Sequence, residues 1–228
     1  MNELRVTARI TGIWYLLMGI TTGFSLGYVD HRIYLPDDPV ATMSNILHLD
    51  WLIRLGVMSS ILGMIFFLLL ANNLYKMFAS VDKNLTISMV SLIYASIPIT
   101  CTILTLQLAA IQLSNSVGKL SGFSAPQVQS LAMLIMNTYQ NGIYIAGVFW
   151  GLWMLPFGIL VIKSNFIPKV FGVLLFVGGL GYLANSFVNL LIPNFKSITS
   201  IGPSIGGVAE IVFIIWLFIK GISMNDRS

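Results

Sequence analysis

The stretch Ile205–Gly221, IGGVAEIVFIIWLFIKG, decides the fold. One acid, Glu210, sits in an apolar run long enough to enter a membrane, and the first cation after it is Lys220. An ionised side chain deep in lipid costs about 2.5 kcal/mol or more unless it is paired or hydrated. The run therefore raises two questions: what surrounds it, and what holds Glu210.

Composition answers the first. Of 228 residues, 57% are hydrophobic and 9% charged, with a mean hydropathy of +0.88. Soluble domains carry about 25% charged residues, so this chain cannot cover a water-facing surface. In lipid, only helices and closed barrels satisfy every backbone group. The apolar runs reach about 20 residues and do not alternate as barrel strands do. The expected fold is all-α: a polytopic membrane helical bundle, one transmembrane domain over residues 1–228.

Six spans fit the hydropathy: Ala8–Val29, Trp51–Tyr75, Ile87–Leu113, Asn141–Ile162, Pro168–Leu191 and Pro203–Ile222. The first follows Arg5 and Arg9 as a signal peptide would. Trp14 and Tyr15 interrupt its apolar core, however, and no small-residue cleavage site follows, so it reads as a membrane helix. The fourth extends backward to Pro126. A continuous helix from there to Ile162 would be about 55 Å long, beyond the roughly 30 Å hydrocarbon core. The stretch from Pro126 to about Thr138 is therefore expected as an interfacial or projecting helix before the fourth span. Between the first two spans, Pro36 and Pro39 break the connection Asp30–Asp50. A short helix over Val40–Leu49 is expected there, with Asp50 as N-cap of the second span.

Lysine and arginine set the orientation. With the N-terminus inside, Arg5, Arg9, Lys76, Lys83, Lys163, Lys169, Lys220 and Arg227 are cytoplasmic. Arg32, Arg54, Lys119 and Lys196 are outside, eight against four. Both termini are expected in the cytoplasm. The net charge of +4 is scattered singly at helix ends, which argues against a nucleic-acid partner. The lone Cys101 excludes an intramolecular disulfide and any multi-cysteine metal site. Gly19, Gly23 and Gly27 on the first helix, and Gly147 and Gly151 on the fourth, have the spacing that lets two backbones approach. Intramolecular packing is the simpler use of these glycines, and a homo-oligomer the other. Pro98 and Pro156 are expected inside the third and fourth helices.

The blocks RITGIWYLLMGI, WLIRLG, FIPKVFGVLLFVGGLGYL and AEIVFIIWLFIKG, in this order, resemble the bacterial integral membrane proteins filed as domain of unknown function 4386. The likeness covers nearly the whole chain. It implies the fold, the topology and a multi-pass place in the bacterial cytoplasmic (inner) membrane, and it implies no activity. Arg54 and Glu210 fall at its charged landmarks. Many members carry a histidine near the start of the fourth span, where this chain has Tyr139-Gln140, so a mechanism needing that histidine is not implied.

Glu210 lies about 10 Å along its helix from Pro203, and Arg54 about one turn into the second span. Similar depth and opposite charge suggest an ion pair. Gln107, Tyr139, Gln140, Asn141, Asn185 and Asn189 fall at a comparable level, so a ligand pocket in the outer half of the bundle is expected from these residues with Arg54 and Glu210. Its occupant would be a membrane lipid or small amphiphile, bound or moved without a cofactor. A membrane enzyme acting on a lipid or isoprenoid, with Glu210 as acid or base, is the alternative; a structural or accessory protein is the third reading. His31 and His48 share the first outside connection with Asp30, Asp37, Asp38 and Asp50, without metal-ligand spacing, and read as solvated loop residues. No nucleotide-binding loop or nucleophile elbow is present.

Overall fold

A computed structural model describes residues 2–119, 121–192 and 201–219. Every regular element among them is helical. In chain order these are α1 (Asn2–Thr22), a π-helical segment (Gly23–Val29), α2 (Asp30–Ile33), α3 (Pro39–His48), α4 (Asp50–Phe78), α5 (Lys83–Ser114), α6 (Ala125–Ser164), α7 (Lys169–Leu191) and α8 (Ile201–Ile219). Five are long and apolar enough to cross a membrane: Val6–Ile33, α4, α5, α6 and α7. In α8 the apolar stretch Gly206–Phe218 is shorter. Lys196, Lys220, Gly221 and Arg227 lie outside the described residues.

Local chemistry explains the boundaries. Asp38 caps α3 by accepting from Ala41 N at 2.9 Å, with Pro39 in the first turn. The expected short helix after the paired prolines is thus present. Asp82 caps α5 in the same way, accepting from Leu85 N at 3.1 Å. Asn165 follows α6 at φ 57°, the left-handed conformation that asparagine tolerates at a helix C-terminus. Pro126 occupies the first turn of α6, where its missing N–H costs nothing. Pro98 and Pro156 lie inside α5 and α6. At 40 residues, α6 is about 60 Å long.

The first span departs from its expected end. It continues past Val29 to Ile33 through the π-helical turns. Ser59 of α4 donates to the carbonyl of Thr21 at 2.9 Å, and Ser60 donates to Ser25 Oγ at 2.7 Å. A neighbour that takes up a backbone carbonyl in this way loosens the α ladder, and Gly23 and Gly27 resist little. The amide of Asp30 accordingly bonds to Ser25 O, five residues back. The wider turn resets the face on which the next residues project, and Asp30 becomes buried.

Contacts divide the chain into two compact units. One comprises Met1–Leu17, Ile65–Ile97 and Tyr144–Ser228; the other comprises Met18–Met64 and Pro98–Ile143. In the first, α6, α7 and α8 meet through glycines. A Cβ on Gly151 would stand 2.7 Å from Gly179 O, and one on Gly158 2.5 Å from Gly172 O. Gly178 meets Gly206 Cα at 2.7 Å on the same terms. Lipid tails are as apolar as leucine, so this close van der Waals fit, rather than burial from water, holds such helices together. An aromatic cluster of Tyr15, Trp153, Phe157 and Phe213 fills the space beside them.

In the second unit, Gly63 meets Thr22 Cγ2 at 2.7 Å and Gly142 meets Ile103 Cγ1 at 2.8 Å. Gly19, Gly23 and Gly27 behave otherwise: a Cβ on any of them would touch nothing within 4 Å among the described residues. The intramolecular packing expected for this stripe is therefore corrected, because α4 engages the neighbouring face through Thr21, Thr22 and Ser25. The expectation holds for Gly147, which meets Ser186, and for Gly151.

Candidate functional site

Two carboxylates that accept from fully buried tyrosines stand out, one in each unit. In the second unit Asp30 lies between α5 and α6. Gln107 Nε2 donates to its Oδ1 at 2.8 Å, and Tyr139 Oη donates to its Oδ2 at 2.6 Å. Tyr139 is fully buried, Gln107 is 3% exposed and Asp30 8%. The Tyr139 contact has the short length of a hydroxyl donating to a carboxylate. A carboxylate only accepts, so the Gln107 end facing it must be the NH₂ group. The amide oxygen Oε1 consequently points away, and it is buried without a partner among the described residues.

Asp30 is the residue that sequence reasoning missed. Placed at the head of a loop, it belongs to a helix, and the signal that could have found it was the Gly23–Ser25–Gly27 run just before it. Its neighbours His31 and Arg32 are exposed. The described salt bridges, Arg54–Asp50 and Lys163–Asp82, do not include it.

Glu210 is answered in the first unit. Tyr15 Oη donates to its Oε1 at 2.7 Å. Tyr15 is fully buried, with its ring edge-on to Phe213 at 6.3 Å. One turn before Glu210 on α8, Gly206 admits the ring of Tyr182: a Cβ there would stand 2.7 Å from Cε2. The small residue thus lets a second tyrosine lie along the face that carries Glu210.

Arg54 has a different partner from the one expected. It lies 3.6 Å from Asp50, one turn back on α4, with 56% of its side chain exposed. The Arg54–Glu210 ion pair is corrected to two separate pairings, because a tyrosine hydroxyl from α1 bonds the carboxylate and an i,i+4 acid meets the guanidinium. Of the other expected site residues, Gln107 and Tyr139 come together on Asp30. Gln140 is partly exposed and Asn141 exposed on the same turn of α6. In α7, Asn189 Nδ2 donates to Asn185 O at 2.8 Å and to its Oδ1 at 3.1 Å.

The second unit also holds a groove between α3 and α6, about 470 Å³, lined by Val40, Met43, Met133, Leu134 and Asn137 among others. Small-molecule pockets run from about 300 to 1,000 Å³. At its rim Tyr34 donates to Asn137 Oδ1 at 2.6 Å. His48 meets Ser44 O at 2.8 Å. Among the described residues, no group of three His, Cys, Asp or Glu side chains is placed to hold a metal ion.

No curated protein and no solved structure matches the chain. The profile of a family described as domain of unknown function (DUF4386) matches residues 10–221, nearly the full length. The chain belongs to the DUF4386 family of membrane-type helical proteins.

Proposed function

We propose that this is a six-span protein of the bacterial cytoplasmic membrane, with both termini inside, that binds or moves a small polar or amphiphilic ligand. The eight-to-four bias of basic residues supports the orientation, and α8 supplies the sixth span. With the N-terminus inside, Asp30 closes the first span at the outer face. The first part of α6, to about Thr138, then projects beyond the hydrocarbon. A homo-oligomer through Gly19, Gly23 and Gly27 belongs to the same reading, because these positions are open among the described residues.

The observation that carries the ligand is the Gln107 amide oxygen, buried without a partner among the described residues while its amide nitrogen holds a buried carboxylate. A buried acceptor left unmade costs about 1–3 kcal/mol, and a group that purely structural packing would have satisfied is where a bound molecule supplies the missing donor. On α6, Asn137 lines the α3–α6 groove, whereas Tyr139, two residues on, lies on another face and reaches the polar cluster. Native mass spectrometry of the protein released from its membrane tests the reading. A non-protein mass should accompany the wild type and be lost from Tyr139→Phe, whose fold keeps the same ring. The same bound species on both, or none on either, would favour a structural or accessory protein.

A further inference from the structure

The geometry points to a monovalent cation, an alkali ion or the ammonium head of a ligand, as the group that Asp30, Gln107 and Tyr139 receive. This rests on the ligand-binding reading above and deepens it. Both oxygens of Asp30 accept hydrogen bonds from neutral donors. Donors on both oxygens favour the ionised carboxylate, which gives the cluster one negative charge, and neither described salt bridge reaches it. Exposed His31 and Arg32 flank Asp30 in sequence. A buried charge is stable only when it is paired as well as hydrogen-bonded. The same amide offers a further acceptor, Gln107 Oε1, buried and without a hydrogen-bond partner among the described residues.

The missing partner must therefore present positive charge to Asp30 and either a donor or a coordinating centre to Gln107 Oε1. A neutral alcohol supplies a donor without charge. An anion would meet acceptors only. A divalent ion usually calls for more than one carboxylate, and among the described residues no such cluster exists. A single positive charge with N–H groups, or a bare alkali ion, meets all these demands. A carboxylate oxygen, an amide oxygen and a phenol oxygen are all hard ligands suited to an alkali ion, and the two oxygens without hydrogen are equally good acceptors for an ammonium.

The test is a titration of thermal stability in detergent at fixed pH, with ionic strength held by choline chloride, whose quaternary head has no N–H. Sodium, potassium and methylammonium are each added in its place. A ligand that binds only the folded state raises stability in a saturable way. The expected result is a saturable rise with at least one of these cations, at least tenfold weaker in Asp30→Asn and retained in Asp50→Asn. Saturation by an alkali ion identifies an ion site; saturation by methylammonium alone identifies an amine head. Should Asp30→Asn fail to fold, Gln107→Met removes Oε1 and should weaken the same response. Responses equal to choline, or unchanged in the folded variants, overturn the cation. If a neutral molecule is then still retained in native mass spectra, the binding reading stands without it; if nothing is retained, both fall.

Discussion

Tyr139 donates its phenolic hydrogen to Asp30 Oδ2 at 2.6 Å across 109 residues of chain, tying the end of the first span to the middle of α6. Removing that donor leaves a buried carboxylate short of one bond. Tyr139→Phe should lower stability by about 1–3 kcal/mol, read as a fall in the unfolding midpoint in detergent. The effect should shrink in an Asp30→Asn background, because residues in direct contact couple by about 0.5–3 kcal/mol. Additive effects would remove the pair from the account.

Glu210 and Tyr15 form the corresponding pair in the other unit. Tyr15→Phe should cost about 1–3 kcal/mol by stranding the carboxylate. Glu210→Gln keeps an acceptor for the phenol and should cost less. Arg54→Ala removes only an exposed i,i+4 contact and should change stability by about 0.5 kcal/mol or less. A double-mutant cycle on thermal stability should therefore show coupling for Tyr15 with Glu210 and none for Arg54 with Glu210.

That contrast shows what the sequence made legible and what it did not. Apolar run length and the positions of proline were enough to place α4 to α8, because lipid forces backbone groups to pair within each segment. Gln107 and Tyr139 were legible as polar residues at one level. Their shared partner was not, since Asp30 is turned inward by a π-helical register that no periodicity announces. The Arg54–Glu210 expectation failed for a related reason: depth and charge ignore the tyrosine hydroxyls, which appear in composition as aromatic residues and act in the fold as donors.

The glycines divide into two predicted classes. Gly151→Ala drives a Cβ to 2.7 Å from a backbone carbonyl of α7, which has no soft atom to yield. The cost should be about 1–3 kcal/mol, the usual range for overpacking. Gly19→Ala meets nothing within 4 Å among the described residues and should be neutral or stabilising by up to about 1 kcal/mol through helix propensity. If Gly19, Gly23 and Gly27 instead seat a second copy, Gly23→Leu should shift the oligomer distribution in native mass spectra without unfolding the monomer. An unchanged distribution would leave the stripe to lipid.

The turn between α4 and α5 offers a pH readout. The hydrogen bond from Lys163 to Asp82, at 2.8 Å, holds that carboxyl below its ordinary range, with the Leu85 backbone N–H and the Lys163 charge assisting. A depressed carboxyl pKa contributes stability above the unfolded value, and this is lost as pH falls through the folded one. Asp82→Asn keeps the helix cap and loses the charge. Its unfolding midpoint should lie slightly below the wild type at neutral pH, and the two should converge in acid. A gap that persists at low pH would assign the effect to the cap.

The most direct measurement is an experimental density map of the protein in lipid, read at Gln107 Oε1. The account predicts a non-protein group within hydrogen-bond or coordination distance of that atom and of Asp30, in wild type and not in Asp30→Asn. A closed contact, or a single water satisfying the amide with nothing else beside it, would contradict it.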